Sequence, residues 1–418
     1  MFLKQLKYIR SSLSVIGSLI IGCPSFLRAL YQLLRRREIV KNAAILVAFE
    51  EGGFGHTIAA PDIARRLYPA KSIVFVIVST SGRHNLASGL LWPESLKLIF
   101  FEIHSRSPWP ILSTAVIRLF CGWTKRPGTI YFRSILDLYS ALNLRSPSNA
   151  RSFNTNLNIQ WIVNYFELIR STVDVLPLSI PAEIVGKSRC ALNIPDKAKI
   201  ASIYLRHKSG GDSTNSTRCG SDFFDYVPSI NYLISQGYAV LVVGDVDVPN
   251  EYCQGALPVV GRVSAQSAGI QPEIFYLFSI SAASVCISEC GGGGWLPTAM
   301  NKPHLCTNAF PYFFAMKNAW MLPKRIRSED GVLIEPRQLF TDYLYNYEVA
   351  PGYKLESNSR DDLLSATIDF ITDVEKGMMP TLPDIDFSLQ GTLYTAAGAG
   401  ICRAWAKNFA NGFVGTEK

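Results

Sequence analysis

The chain has 418 residues, of which 48% are hydrophobic and 18% charged, so it is long enough for two domains and too apolar for a disordered protein. Its formal net charge is +8, but residues 1–41 supply +7 of this (eight Lys and Arg against Glu38 alone), which argues against a basic nucleic-acid-binding domain. The nine scattered cysteines contain no Cys-x2-Cys pair, a pattern typical of reduced thiols in a cytosolic protein rather than of zinc or disulfide sites.

The N-terminal segment, residues 1–40, is both basic and apolar. No residue between Ser11 and Leu27 is charged, but Pro24 interrupts this run, which is marginal for the ~20 apolar residues that cross a bilayer. Residues 25–37 then have the pattern of a basic amphipathic helix on an anionic membrane surface. We therefore expect a membrane-associating segment. A short membrane span, a signal peptide and an ordinary helix of the domain are the alternatives.

A glycine-rich turn follows the first predicted strand. The turn reads Glu50-Glu51-Gly52-Gly53-Phe54-Gly55-His56, and it stands between an apolar run at 43–49 and a predicted helix at 58–67. Further apolar runs predict buried parallel strands at 72–79 and 96–103. Strand, helix and strand in this order predict a right-handed βαβ unit. Residues 105–158 indicate only short helices.

A second α/β region follows a helix predicted at 159–173 and a proline-punctuated linker at 175–187. The apolar runs predict strands at 200–205, 239–244, 259–260, 284–288 and 305–308, and helices at 222–235 and 272–282. The aromatic and charged stretch 310–353 is typical of an insertion or lid. The chain is therefore expected to form an α/β fold with two Rossmann-like doubly wound domains, 41–185 and 186–388, and a closing helix in 389–418.

The second glycine-rich turn, Glu289-Cys290-Gly291-Gly292-Gly293-Gly294, stands between a predicted strand and a helix that starts near Trp295. Glycine lets backbone N–H groups approach a ligand, and a helix N-terminus favours an anion. Two such turns in two α/β halves predict a nucleotide-type ligand and a second substrate that face each other across a cleft.

Both turns resemble those of glycosyltransferases with the GT-B fold. Gly52, Gly53, Gly55, His56 and Pro61 are similar to the N-terminal turn of the lipid II-forming N-acetylglucosaminyltransferase and of the UDP-glycosyltransferases. The segment 206–212 is similar to the Arg-x-Gly-Asp loops of fucosyltransferase-like GT-B enzymes, and the tetraglycine to the diphosphate site of heptosyltransferases. The order of these motifs over 41–310 resembles a family of bacterial glycosyltransferases from surface-polysaccharide genes.

The resemblance implies a role for each group of residues. His56 is the candidate general base, which suits an imidazole at the open end of a parallel sheet, and Glu51 is a second catalytic candidate. The expected donor-binding residues are Arg206, Lys208, Gly210, Gly211, Asp212, Gly244, Asp245, Glu289, Gly291, Gly292, Gly293 and Gly294. The expected acceptor-side residues are Gly52, Gly53, Gly55, His84, His104 and Arg106. No metal and no cofactor are expected, and the nucleotide-diphosphate sugar is counted as a co-substrate.

The implied reaction is an inverting, metal-independent sugar transfer to a hydroxyl of a lipid-linked or surface glycan, on the cytoplasmic face of the inner membrane, with no nucleic-acid partner. A GT-B sugar-nucleotide epimerase and a non-catalytic membrane-associated carbohydrate-binding protein are the alternatives. A nicotinamide-dependent oxidoreductase is disfavoured because the second strand ends in Ser79 and Thr80 rather than in an acidic residue. Asp245 and Asp247 also match the metal site of a metal-dependent GT-A transferase. This alternative is disfavoured because a GT-A fold has one Rossmann-like unit and does not explain both glycine turns.

Overall fold

The computed structural model divides the chain into two compact units, residues 1–145 and 146–418. It describes residue 24 and residues 26–50, 54–80, 86–103, 109–145, 157–172, 174–206, 220, 222–244, 246–253, 257–291, 294–312, 316–342, 349–382 and 398–407. The two units are built on parallel sheets, as the continuous apolar runs predict.

The first unit contains a four-stranded parallel sheet in the order β3-β2-β1-β4. Its strands are β1 (Ile45–Glu50), β2 (Ile73–Thr80), β3 (Leu96–Ile103) and β4 (Ile130–Phe132). Residues 26–35 are helical and are followed by α1 (Arg37–Lys41), α2 (Phe54–Leu67), α3 (Trp109–Thr124) and α4 (Ile135–Arg145), with a 3-10 turn at Leu86–Leu91. The strand order reverses direction between β1 and β4, which makes this pair the topological switch point of the unit.

Side chains of the first sheet alternate between two buried faces. One face packs against α3 through a cluster that includes Leu46, Val76, Ile117 and Phe120. By the same alternation, the opposite face lies under α2 and α4, which contact each other and the sheet. Both faces are covered, so the strands are apolar along most of their length, with Glu50 at the exposed end of β1 and Lys97 and Glu102 in β3.

The described part of the segment 1–40 packs on this unit instead of standing apart from it. Ala29, Leu33 and Val40 are buried in the same cluster as β1, β2 and β3. The apolar residues of this segment therefore serve the domain core on one side. No helix within the described ranges is long and apolar enough to cross a bilayer.

The second unit contains a seven-stranded parallel sheet in the order β13-β10-β9-β8-β5-β6-β7. Its strands are β5 (Lys199–Leu205), β6 (Tyr238–Gly244), β7 (Val259–Val260), β8 (Val285–Glu289), β9 (His304–Ala309), β10 (Ala319–Pro323) and β13 (Gly400–Ile401). A separate two-stranded antiparallel sheet is formed by β11 (Arg325–Ser328) and β12 (Tyr353–Glu356). The switch point of this sheet lies between β5 and β8, from which the strands proceed in opposite directions.

Helices connect these strands. They are α5 (Leu157–Ser171), α6 (Ala182–Ala191), α7 (Phe223–Ser235), α8 (Arg262–Ser267), α9 (Pro272–Ser281), α10 (Trp295–Ala299), α11 (Pro336–Asp342) and α12 (Arg360–Glu375), with a 3-10 turn at Asn250–Cys253. Asp222, predicted as the first residue of this helix, instead caps α7 with a capping box. The described cysteines are free thiols.

Several parts of the chain differ from the sequence expectation. Residues 105–158, expected to form only short helices, include the 16-residue helix α3 and strand β4. The stretch 310–353 is not a lid, because its strand β10 is buried inside the seven-stranded sheet between β9 and β13. Helix α5 belongs to the second unit, so the units divide after Arg145 rather than near residue 185. The reason is aromatic packing, since Trp161 and Phe166 each stack on Trp295 with ring centroids 5.5 Å apart.

Candidate active site

The switch point of the second sheet brings together residues that are far apart in the sequence. Arg206 directly follows β5, and Glu289 is the last residue of the neighbouring strand β8. The backbone N–H of Arg206 donates to Glu289 Oε2 (3.1 Å), and its guanidinium Nη1 donates to the carbonyl oxygen of Cys290 (3.3 Å). Ligands of open parallel sheets bind beyond the carboxyl ends of the strands at this point.

Gly291 has a conformation that requires glycine. Its φ is +139°, and a Cβ atom built on it would lie 2.5 Å from Nη1 of Arg206. The turn therefore passes directly beside the guanidinium. Gly244, at the end of β6, has a φ of +111°, and its added Cβ would lie 2.0 Å from the carbonyl oxygen of Leu205. These two predicted donor-side glycines allow close approach of the backbone at one edge of the sheet.

The carboxylate of Glu289 is fully buried, with 0% of the residue exposed. Its Oε1 accepts a hydrogen bond from Nδ2 of Asn308 (3.0 Å) in β9, while Oε2 accepts from Arg206. Asn308 in turn exchanges two backbone-to-side-chain bonds with Asn358, of 2.6 and 2.7 Å. Glu289 thus joins the ends of β5, β8 and β9, and its predicted role in donor binding stays a prediction.

Removal of the Glu289 carboxylate tests this structural role. Glu289→Ala leaves the Asn308 amide and the Arg206 N–H without their buried acceptor, so we expect a loss of about 3 kcal/mol in the free energy of unfolding. Urea denaturation measures it. Glu183→Ala is the control, because Glu183 pairs with Lys187 at the surface. Equal stabilities of the two variants would contradict the role.

The tetraglycine turn leads into a short buried helix. Gly294 caps α10, whose five side chains are all buried. An added Cβ on Gly294 would lie 2.3 Å from Cε of Met316, so little space surrounds this residue. The end of the turn is therefore fixed by packing on both sides.

His56 lies at the switch point of the first sheet. It stands in the first turn of α2, directly after β1, and its Nδ1 lies 2.8 Å from the hydroxyl of Tyr139. Tyr139 belongs to α4, which follows β4, so the pair joins the two helices that follow the neighbouring parallel strands β1 and β4. Burial lowers the pKa of His56 below its ordinary value, and the imidazole is therefore neutral at pH 7.

The bond to Tyr139 decides which nitrogen of His56 can accept a proton. Burial raises the pKa of Tyr139 well above its ordinary value, so the phenol stays neutral and is able to donate or accept. When Nδ1–H donates to the phenol oxygen, Nε2 carries the lone pair of a general base. When the phenol donates to Nδ1, the proton sits on Nε2. A role as base at Nε2 requires the first arrangement.

Many predicted site residues lie outside the described part of the chain. They are Glu51, Gly52, Gly53, His84, His104, Arg106, Lys208, Gly210, Gly211, Asp212, Asp245, Gly292 and Gly293. The described residues contain no group of three or more His, Cys, Asp or Glu side chains arranged to hold a metal ion. Gly55 is part of the first turn of α2, next to His56.

Two residues at these sites were not predicted from the sequence. Asn308 is the second-last residue of β9, near the ligand edge of the sheet, and a polar residue in that place is a usable signal. Tyr139 gives no local signal, because its partner His56 lies 83 residues earlier.

Comparisons with known proteins give only distant structural similarities. No family model matches it, and no curated protein matches it. Similar solved structures are glycosyltransferases. A glycosyl transferase family 9 protein from Veillonella parvula shares 12% identity over 67% of this chain and 85% of its own, with a TM-score of 0.42. The E. coli ADP-heptose LPS heptosyltransferase II shares 11% identity over 79% of this chain and 99% of its own, with a TM-score of 0.41. The iron-containing glycosyltransferase TibC from enterotoxigenic E. coli shares 12% identity over 81% of this chain and 77% of its own, with a TM-score of 0.38.

Proposed function

We propose that this protein is a GT-B-type glycosyltransferase, which moves a sugar from a nucleoside-diphosphate donor to a hydroxyl of a lipid-linked or surface glycan. The observation that carries the proposal is the position of polar groups at both switch points. Arg206 and Gly291 lie at one, and the His56–Tyr139 pair lies at the other. Open parallel sheets bind their ligands at such points.

Donor binding is assigned to the second unit. A guanidinium has five N–H donors in a planar fork, a geometry that matches phosphate oxygens. Arg206 is therefore suited to a bidentate contact with the diphosphate, together with Lys208 and the backbone of Gly291 to Gly294. Fixed positive charge at this position stabilises the negative charge that grows on the leaving diphosphate. In this proposal these groups, rather than a metal ion, stabilise the negative charge of the leaving diphosphate.

The base is assigned to the first unit. Neutral His56 takes the proton from the acceptor hydroxyl, whose oxygen attacks the anomeric carbon of the sugar. The bond between that carbon and the diphosphate breaks, and the nucleoside diphosphate leaves with the electron pair. A single displacement of this kind inverts the anomeric centre. Burial supports the assignment, because it keeps the imidazole unprotonated at neutral pH.

The proposed cellular location of the protein follows from its proposed lipid-linked acceptor. Residues 1–40 combine basic and apolar side chains, and we place the protein at the cytoplasmic face of the inner membrane, where this segment holds it near a lipid-linked acceptor. An anionic membrane surface is thus the third partner, besides the nucleotide-sugar donor and the glycan acceptor.

A thermal-shift screen tests the donor class. A diphosphate site predicts that one of the UDP, GDP or ADP sugars raises the unfolding temperature, with about 2.7 kcal/mol of stabilisation at a ligand concentration of 100 Kd. CMP sugars, which carry a single phosphate, are the control and are expected to have little effect. The proposal is contradicted when no nucleoside-diphosphate sugar shifts the unfolding temperature.

A further inference from the structure

Helix α3 is apolar on a side that faces solvent. Arg118 is the one charged residue among its 16 residues. Ile117, Phe120 and Cys121 pack into the core cluster of the first unit, whereas Leu119 and Trp123 are 74% and 79% exposed. A helix that is apolar all round is expected to be covered on every side. In this unit the outer side of α3 has large apolar groups at the surface.

The neighbouring N-terminal helix has the same property. In residues 26–35, Ala29 and Leu33 are buried in the cluster that also holds α3. Leu27, Tyr31 and Leu34 are exposed and lie at spacings of four and three, so they form one stripe. We define the apolar face as the exposed apolar side chains of these two helices, which are Leu27, Tyr31, Leu34, Ile111, Leu112, Leu119 and Trp123.

Arginine side chains lie directly on the aromatic rings of this face. The guanidinium carbon of Arg37 is 5.8 Å from the ring centroid of Trp123, and that of Arg35 is 5.7 Å from the ring centroid of Tyr31. Arg37 begins α1, which packs against α3, so its contact with Trp123 joins the two parts of the face.

The charge around the apolar face is almost entirely positive. Residues 26–41 contain four arginines and one lysine against Glu38, and residues 109–126 contain two arginines and one lysine with no acidic residue. The sum is 8 − 1 = +7. Such a surface is complementary to a layer of anionic groups above an apolar interior.

We propose that the apolar face docks onto an anionic lipid bilayer, with α3 as a second lipid-contacting helix beside the N-terminal segment. Tryptophan and tyrosine favour the headgroup level, arginines pair with lipid phosphates while their stems cover apolar surface, and the leucines enter the upper acyl layer. This inference deepens the membrane part of the proposed function and does not depend on sugar transfer.

Other occupants fit the face less well. A nucleic acid would use the basic residues but not seven large apolar side chains. A second copy of the chain in a two-fold dimer would bring a charge of +7 against another +7, which opposes association. The lipid bilayer is the occupant that satisfies both the charge and the apolar groups.

Vesicle binding by the full chain tests the inference. The probes are vesicles of phosphatidylcholine with phosphatidylglycerol and vesicles of phosphatidylcholine alone, in the absence of any sugar substrate. The double variant L119E/W123E should bind the anionic vesicles at least ten-fold more weakly than the wild type. The matched control is L136E/L144E on α4, where both leucines are also exposed (61% and 76%) and the added charge is the same. The control should bind within two-fold of the wild type.

A second readout does not depend on loss of binding. Lipids brominated in the upper acyl chain should quench part of the fluorescence of the seven tryptophans, and Trp123→Phe should remove most of that quenching while binding persists. Circular dichroism and thermal unfolding confirm that each variant is folded.

The outcomes separate this inference from the rest of the proposed function. One outcome is that L119E/W123E binds vesicles like its control while L19E/I20E in the N-terminal segment does not bind. In that case the N-terminal segment alone binds the membrane, and the role of α3 is overturned. If sedimentation shows a dimer that L119E/W123E dissociates, the face is an interface between copies and the inference is also overturned. Neither outcome affects the sugar-transfer assignment, because no sugar is present in the measurement.

Discussion

Replacement of His56 by alanine is expected to lower the rate of sugar transfer by about 10²–10⁴-fold, the usual contribution of a general base. The reason is that the acceptor hydroxyl then loses its proton acceptor. Donor binding should be unchanged, because the residues assigned to the donor belong to the second unit. Steady-state kinetics measure kcat, and the dissociation constant of the donor is measured by calorimetry. A variant that keeps near-normal turnover would remove His56 from the mechanism.

Tyr139→Phe is the matched variant for this experiment. It keeps the ring packing in α4 but removes the oxygen that lies 2.8 Å from Nδ1 of His56. We expect a smaller loss, of about ten-fold in kcat with KM retained, because the imidazole stays in place without its fixed tautomer.

The pH profile of the wild type gives an independent readout. Burial lowers the pKa of His56, so the imidazole remains a base below pH 6.5, and activity should fall only as the pH drops through this lowered value. The residual activity of His56→Ala should lack this acidic limb. A limb that persists unchanged in the variant would assign the titration to another group.

Arg206→Ala is expected to lower kcat/KM for the nucleotide-sugar donor by about 10²-fold, because a charge-assisted contact with the diphosphate is lost. The fold should survive, since the bond to Glu289 comes from the backbone N–H of Arg206 and remains in the variant. Arg206→Lys keeps the charge but not the planar fork, so it should restore only part of the loss.

The control for Arg206 is an exposed arginine of the same unit. Arg262 pairs with Asp247 at the surface and is given no role in donor binding. Arg262→Ala should leave kcat/KM within two-fold of the wild type. Donor kinetics that are the same in Arg206→Ala and Arg262→Ala would refute the donor assignment.

Most strands of the two sheets follow closely from the sequence because they are buried on both faces, whereas β4, β10 and β13 were not predicted. The run predicted at 96–103 coincides with β3, and the run predicted at 200–205 lies within β5. Strand β10 was missed because it is short and stands among aromatic and charged residues. Its place beside β9 depends on pairing within the sheet, which a local pattern does not contain.

The candidate site was predictable where a charged side chain stands at the carboxyl end of a predicted strand. Arg206 and Glu289 stand at the carboxyl ends of β5 and β8, and parallel strands bring such ends to one edge. The sequence does not contain the partners that fix them. Asn308 contacts Glu289 from the neighbouring strand β9, and Tyr139 contacts His56 from another helix. Long-range packing supplies these contacts, so only the structure gives them.

The most direct test of sugar transfer follows both products in one reaction. The full-length protein is incubated with a labelled nucleoside-diphosphate sugar and a lipid extract that contains glycan acceptors. The account predicts that free nucleoside diphosphate and label in the lipid fraction appear in equal amounts, and that His56→Ala gives neither. Conversion of the donor into an epimeric sugar nucleotide, or binding of the donor without either product, would contradict it.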